Sequence, residues 1–379
     1  MKLLYLHDQY YNEEKANIIQ VISMCKAFSE LGINVTLALL NSGIDETELS
    51  NRIRLGFDVN HALGVVLIPT YFKRTRVGRY LGTVSVGKIL NQEKPDICYL
   101  RSPVFLKRCM DSGISTFFES HTAKLHNRIQ YLDKKWRNLI VESSKKFNFI
   151  KLIAISEALR NYWISHGMEK RKIIALHDGF NPSFYSKPLT ISEARKKLNI
   201  QSEKKVVVYA GSLYPDREIE TVLALAEKFD NALFWVIGGP EEYKNSYKEL
   251  AAKGGITNIE FLGKMEHRNI PDYLYAADIL LAIWSKNVPT MNYCSPMKVF
   301  EYMAAGRIIV AHAFPTIREV LSDSKTALLV DPYSNDDLFH KMEKALNLKY
   351  PSLMASQARD EAFHNYSWHA RAKKILSYT

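Results

Sequence analysis

The amino-acid sequence predicts an α/β protein made of two doubly wound units, each with a parallel sheet. Three observations lead there. Short apolar runs alternate with longer segments of helical apolar spacing, the pattern starts afresh after an irregular stretch containing Pro188, and 379 residues are two to three times the usual domain size. Apolar residues at 47% and charged residues at 24% are ordinary globular usage, which excludes disordered and low-complexity classes.

The first unit opens with residues 3–6, an apolar run closed by His7 and Asp8, which reads as a buried strand and not as a signal peptide. Helical spacing over 18–31, a stop at Gly32 and a second strand over 35–40 complete a βαβ unit. Further strands are expected at 65–68, 97–100, 116–119 and 152–155. A linker near 182–192 leads to residues 205–211, a strand running into a glycine turn, and to strands at 206–210, 233–237, 259–262, 279–283, 308–311 and 327–330. Two such halves normally hold a ligand in the cleft between them, outside the carboxyl ends of their strands.

The net charge is +11, and it has an address. Residues 71–94 hold six basic residues against one acidic, and 121–151 hold eight against two, so these stretches account for the whole excess. A basic face there suits an acidic partner: nucleic acid, anionic lipid or a phosphorylated substrate. Within the second stretch Leu125, Ile129, Leu132, Trp136, Leu139 and Ile140 form an apolar stripe flanked by Lys124, Arg128, Lys134, Lys135 and Arg137. Either the stripe packs on the sheet of its own unit, or the segment lies on a membrane surface, where each basic residue contributes roughly 1 kcal/mol. Tyr71, Phe72, Lys73, Arg74 and Arg76 mix aromatics with charge in the same way.

Four cysteines, Cys25, Cys98, Cys109 and Cys294, show no C-x-x-C pair, so neither a zinc site nor a disulfide framework is indicated and a reducing compartment is expected. No apolar run approaches the roughly 18 to 20 residues that span a bilayer, so membrane contact is expected to be peripheral.

Residues 292–311 are the most informative. Ser295 and Pro296 open a helix that ends at Gly306 and runs straight into an apolar strand. Free N–H groups at such a helix start attract phosphate, and Lys298 adds positive charge in the first turn. Lys298 and Glu301 share a face; alone they would read as a helical ion pair. In their setting, Lys on phosphate and Glu on ribose hydroxyls would divide a nucleotide between them. The run Ser295-Pro296-Met297-Lys298-Val299-Phe300-Glu301-Tyr302-Met303-Ala304-Ala305-Gly306 resembles the S-P-x-K-x-x-E-Y-M-A-x-G motif of glycosyltransferase family 4. These are retaining enzymes of the GT-B fold, two Rossmann-like domains facing each other across a cleft.

The resemblance implies that Glu301 holds the ribose of a nucleotide-sugar donor. The family's E-x7-E arrangement has its first Glu where this chain has Tyr293. Tyr209-Ala210-Gly211-Ser212-Leu213 and Asp216-Arg217-Glu218 resemble the glycine turn and the phosphate-binding basic residues, with Ser212 where Arg is frequent. Phe118-Glu119-Ser120-His121 resembles the E-x-H segment, whose His reaches the donor sugar or the reaction centre. Residues 155–159 and 177–181 resemble architectural segments beside the linker, and 366–368 resembles the start of the closing segment. The loop 9–17 lacks the family's frequent Gly-Gly.

From this resemblance the expected catalytic residues are His121, Arg217 and Lys298, with Gly211, Ser212, Gly239, Met265, Tyr293, Ser295, Pro296, Met297 and Glu301 completing the donor site. The expected domains are 1–185 on the acceptor side, with 362–379 packing back on it, and 190–361 for the donor. The implied reaction moves a hexose-type sugar from a UDP- or GDP-sugar to a saccharide or lipid-linked saccharide, with no cofactor and no metal, in the cytoplasm and peripherally on the inner face of the membrane. An epimerase or phosphorylase on the same fold, and a basic nucleic-acid-binding protein, stay open as alternatives; with no DNA or RNA module in sight, the charge points away from nucleic acid.

Overall fold

The computed structural model describes residues 1–13, 15–59, 63–69, 76–124, 130–348 and 352–379. It divides into two compact units, the first of residues 1–178 with 368–379, the second of 179–367.

In the first unit the described strands are β1 (Lys2–Tyr10), β2 (Asn34–Leu40), β3 (Leu63–Ile68), β4 (Ile97–Leu100), β5 (Ser115–Ser120), β6 (Phe149–Ala154) and β7 (Ile173–Ala175). They form one parallel sheet in the order β3-β2-β1-β4-β5-β6-β7. Leu3 to Leu6 are fully buried, as an apolar run covered on both faces must be. The helix Ala16–Glu30 buries Ile18, Val21, Ile22, Cys25 and Phe28 at helical spacing, and the helix Trp368–Leu376 packs against it. Ser156 caps the helix Glu157–Ser165 by accepting from Leu159 N–H at 3.1 Å, an architectural role for the 155–159 segment. β7 falls outside the expected strands because three residues carry no readable periodicity.

The helix Gln130–Ser144 carries the expected stripe. Ile140 is buried, Leu132, Trp136 and Leu139 are half-buried, and the helix packs against β6 and the helix Leu106–Asp111. The described part of the stripe, residues 132–140, therefore faces its own unit. Arg137 pairs with Asp133 at 2.9 Å, Lys145 with Glu142 at 2.7 Å and Lys146 with Asp111 at 3.2 Å. Lys134 and Lys135 are exposed. Leu125, Arg128 and Ile129, like Tyr71, Phe72, Lys73 and Arg74, lie outside the described residues. Among the described residues no helix is long and apolar enough to cross a membrane.

In the second unit β8 (Lys205–Ala210), β9 (Ala232–Ile237), β10 (Ile259–Gly263), β11 (Ile279–Ala282), β12 (Ile308–His312) and β13 (Leu328–Val330) form a parallel sheet in the order β10-β9-β8-β11-β12-β13. The strand order reverses between β8 and β11, which makes the carboxyl end of β8 the switch point where this topology leaves room for a ligand. The second unit begins earlier than the sequence suggests: Phe180 and Tyr185 are buried among its rings, against Phe363 and Tyr275, and Phe180 N–H donates to Tyr366 O at 3.1 Å. Burial of these aromatics draws 179–185 and 362–367 into the second unit, moving the expected limits at 185 and 362 to 178 and 368.

Candidate active site

The site grows from three loop starts at one end of the second sheet. After β8, Gly211 N–H donates to Ile237 O at 2.9 Å; after β9, Gly238 N–H donates to Gly263 O at 2.8 Å; and Leu213 N–H donates to Gly239 O at 2.8 Å. The two glycine turns lie so close that a Cβ on Gly238, whose φ is +141°, would stand 1.7 Å from Gly211 O. Only glycine fits there. A Cβ on Gly211 would stand 3.4 Å from Lys298 Nζ, so the same glycine turn leaves space beside an ammonium group.

Lys298 lies in the first turn of the helix Met297–Ala305, which Pro296 opens and Gly306 ends in the left-handed conformation, φ +63°. Its ammonium sits 4.1 Å from the ring centroid of Tyr209 and 4.5 Å from that of Trp284. No carboxylate reaches ion-pair distance of it among the described residues. Burial, helped by the charge of Arg217, pushes its pKa down to about 7. Arg217 is itself oriented, its Nε donating to Ser212 Oγ at 3.0 Å.

One turn along, Glu301 is buried, and its Oε1 meets Nε2 of His267. His267 is fixed by the edge of its ring against Phe184, centroids 5.6 Å apart. Burial opposes its protonation, but the Glu301 carboxylate outweighs burial and raises its pKa. Tyr302 ties this helix to β8: Ala210 N–H donates to its hydroxyl at 2.8 Å.

The structure thus brings Gly211, Ser212, Arg217 and Lys298 together at the end of β8, with Glu301 one turn away. Gly239 braces the β8 loop through its carbonyl. Ser295 is buried before the helix, Pro296 precedes its first residue Met297, and Tyr293 ends the 3-10 turn Pro289–Asn292, its N–H donating to Thr290 O at 3.0 Å. Met265 is half-buried against the core of the unit. Sequence reasoning gave no role to Tyr209, Trp284 or His267. His267 stands only two residues beyond Met265, in a loop already singled out, while the two aromatics are marked by no spacing in the chain.

His121 belongs to the first unit, at the end of β5. Its Nε2 meets Glu119 Oε1. Glu119 is fully buried; Arg371 Nη1 donates to its Oε2 at 3.0 Å, Gln20 Nε2 to its Oε1 at 2.7 Å, and the Tyr99 hydroxyl also donates to it. Burial and the charge of Arg101 hold the His121 pKa below its ordinary value against the pull of Glu119. Arg371 comes from the helix Trp368–Leu376, and its Nε also donates to His177 O at 2.9 Å. Glu119, His121 and Asp178 present metal-ligand atoms within 4.8 Å of one another. With a guanidinium already on Glu119, this cluster is an ion-pair network with the place of a cation taken.

Residues 190–362 match the family Glycosyl transferases group 1, and residues 19–184 match Glycosyltransferase Family 4. The chain belongs to these glycosyltransferases, and its two parallel-sheet α/β units are those of the GT-B fold. Lipopolysaccharide 1,2-N-acetylglucosaminetransferase of Salmonella typhimurium is 25% identical over 244 residues, 60% of this chain and 61% of that protein. D-inositol 3-phosphate glycosyltransferase of Mycolicibacterium smegmatis is 22% identical over 236 residues, 60% of this chain and 52% of that protein. The chain spans about half to three fifths of the length of the curated relatives it matches. Among solved structures, Anabaena HepE in complex with UDP has a TM-score of 0.77 at 17% identity, covering all of both chains. WaaG, a glycosyltransferase involved in lipopolysaccharide biosynthesis, has 0.67 at 16%, again over all of both chains.

Proposed function

We propose that this protein is a retaining glycosyltransferase that moves a hexose-type sugar from a nucleoside diphosphate sugar to a saccharide or lipid-linked saccharide acceptor in surface glycan synthesis. One observation carries the reading: Lys298 is a cation enclosed by two aromatic rings, with no carboxylate partner among the described residues, at the start of a helix. A buried charge left without its counter-charge is costly unless a ligand supplies it. Arg217, oriented by Ser212, adds a planar fork suited to phosphate oxygens.

In this reading Lys298, Arg217 and the N–H groups at the helix start hold the diphosphate and stabilise the negative charge that grows on it as the sugar departs. The departing phosphate takes the proton of the attacking acceptor hydroxyl on the same face of the sugar, so the new glycosidic bond keeps the anomeric configuration. Glu301 accepts from the ribose hydroxyls. The UDP bound in Anabaena HepE supports a uridine donor, and the name of the Salmonella relative supports a saccharide acceptor.

The test is a thermal-shift screen of UDP- and GDP-sugars, followed by NMR of the anomeric proton of the transfer product. A nucleotide sugar at 100 times its Kd is expected to add about 2.7 kcal/mol of stability. Absence of any nucleotide-sugar shift removes the donor site; an inverted product removes the retaining step; conversion of the donor without acceptor selects an epimerase.

A further inference from the structure

At the edge of the first unit's sheet, β7 pairs with β6 alone and leaves its other side open. A groove of about 450 Å³ runs along it, floored by residues 173–176. Lys151, Arg160, Lys170, Arg171 and Lys374 line it, and Glu157 is the one carboxylate among its described lining residues. These cations come from β6, the helix Glu157–Ser165, the turn Lys170–Lys172 and the helix Trp368–Leu376, so folding gathers charges more than 200 residues apart in the chain.

The groove's charge is not cancelled from within. Glu157 is engaged by Arg160 at 3.2 Å, and Glu169 just outside by Arg171 at 2.6 Å. Lys151, Lys170 and Lys374 have no carboxylate at ion-pair distance among the described residues. Tyr378 holds two of them at one ring, Lys151 Nζ 4.9 Å and Lys374 Nζ 5.6 Å from its centroid. Neighbouring Lys172 feels the crowding: burial, then Arg171 and Lys151, lower its pKa. Like charges held together in a cavity of small-ligand size fit a compact ligand carrying more than one negative charge. Guanidinium forks beside ammonium groups are the donor set of phosphate oxygens.

We infer that this groove is a binding site for phosphate-bearing ligands, separate from the donor site. The phosphate can belong to a soluble phosphate or diphosphate compound or to the headgroup of an anionic lipid.

The experiment uses the whole chain with Lys298→Met, which weakens the donor site equally in both proteins, and a companion protein that adds Lys151→Gln, Lys170→Gln and Lys374→Gln. Circular dichroism and melting confirm that both fold. Each is titrated with inorganic pyrophosphate by calorimetry and pelleted with phosphatidylglycerol–phosphatidylcholine vesicles at low salt. The expected result is binding in at least one arm that the three substitutions weaken by at least about tenfold, since each lysine near an anionic surface contributes roughly a fivefold factor. Pyrophosphate binding without pelleting assigns a soluble ligand; pelleting without pyrophosphate binding assigns a headgroup. Binding in neither arm, or equal binding by both proteins, overturns the inference. Because both proteins carry the same donor-site change, a difference between them reports the groove, and failure of the proposed transfer reaction leaves this result standing.

Discussion

Each unit contains a histidine whose Nε2 meets a buried glutamate, His121 with Glu119 in the first and His267 with Glu301 in the second. The contacts are alike, yet burial wins at His121, whose pKa is lowered, and the carboxylate wins at His267, whose pKa is raised. The difference lies in what else each glutamate touches. Burial pushes the Glu119 carboxyl up, but the charge of Arg371, with the hydrogen bond from His121 and the charge of Arg101, more than offsets it and holds it well below the ordinary range. With Arg371, Gln20 and Tyr99 already on Glu119 and Arg101 nearby, a proton on His121 would add a surplus positive charge. Glu301 has His267 as its only ion-pair partner among the described residues. The lesson is that a His–Glu contact says little until the neighbours' charges are counted. The first unit biases its imidazole towards the neutral form, and the second biases its imidazole towards the protonated form beside a carboxylate.

The comparison breaks most visibly at Arg371. Arg371→Met leaves Glu119 buried with its main counter-charge gone, a loss of about 3 to 5 kcal/mol, which lowers the melting temperature of the first unit by roughly 10 °C. Adding Glu119→Gln to that variant removes the stranded charge and recovers part of the loss. Because the folded pKa of Glu119 lies below its unfolded value, its contribution is present above about pH 4.5 and is lost as pH falls through the folded value. Melting curves at pH 7 and pH 4 check both statements; an Arg371→Met protein that melts like the wild type removes the network from the account.

Lys298 shows the second unit's lack of internal charge balance in its sharpest form. Lys298→Met is expected to lower transfer by about 10²-fold with melting unchanged or raised, because the substitution removes charge stabilisation of the leaving group and a buried cation with it. With a folded pKa of about 7, the folded protein binds fewer protons than the unfolded chain between about pH 7 and 10, so this group's contribution to stability rises with pH there. A diphosphate beside the ammonium raises its pKa again. Nucleotide binding at pH 8 therefore takes up a proton, seen in calorimetry of UDP in two buffers of different ionisation heat, and the uptake disappears in Lys298→Met.

The fold was legible from periodicity because parallel strands buried on both faces read as apolar runs, and twelve of them, from residues 3–6 to 327–330, fall on strands of the structure. β7 was not, being only three residues long. The second-unit cluster was legible in part: Gly211, Arg217, Lys298 and Glu301 lie in segments with recognisable local spacing. Tyr209 and Trp284, which enclose Lys298, come from strand ends 75 residues apart, and Arg371 reaches Glu119 across 252 residues. Such partners are chosen by sheet order and by the docking of the C-terminal helix, neither of which leaves a short-range trace.

The finest test of the comparison is His267. His267→Gln keeps a hydrogen-bond donor for Glu301 but removes the titratable imidazole, whereas Glu301→Gln removes the carboxylate proposed to meet the ribose. If His267 acts by orienting Glu301, His267→Gln raises KM for the nucleotide sugar by roughly tenfold or less, the worth of one charge-assisted hydrogen bond against a neutral one, and leaves kcat nearly unchanged. The sign of its pH dependence is the reverse of that at Glu119. With a folded pKa above the unfolded value, the His267 contribution to stability is complete below about pH 6.5 and fades as pH rises through the folded value. The wild-type melting temperature therefore gains less than that of His267→Gln, or loses more, between pH 6 and pH 8. Parallel melting profiles of the two proteins over that interval, together with equal KM values, would reduce the His267–Glu301 contact to packing and leave Glu301 to be held by its helix alone.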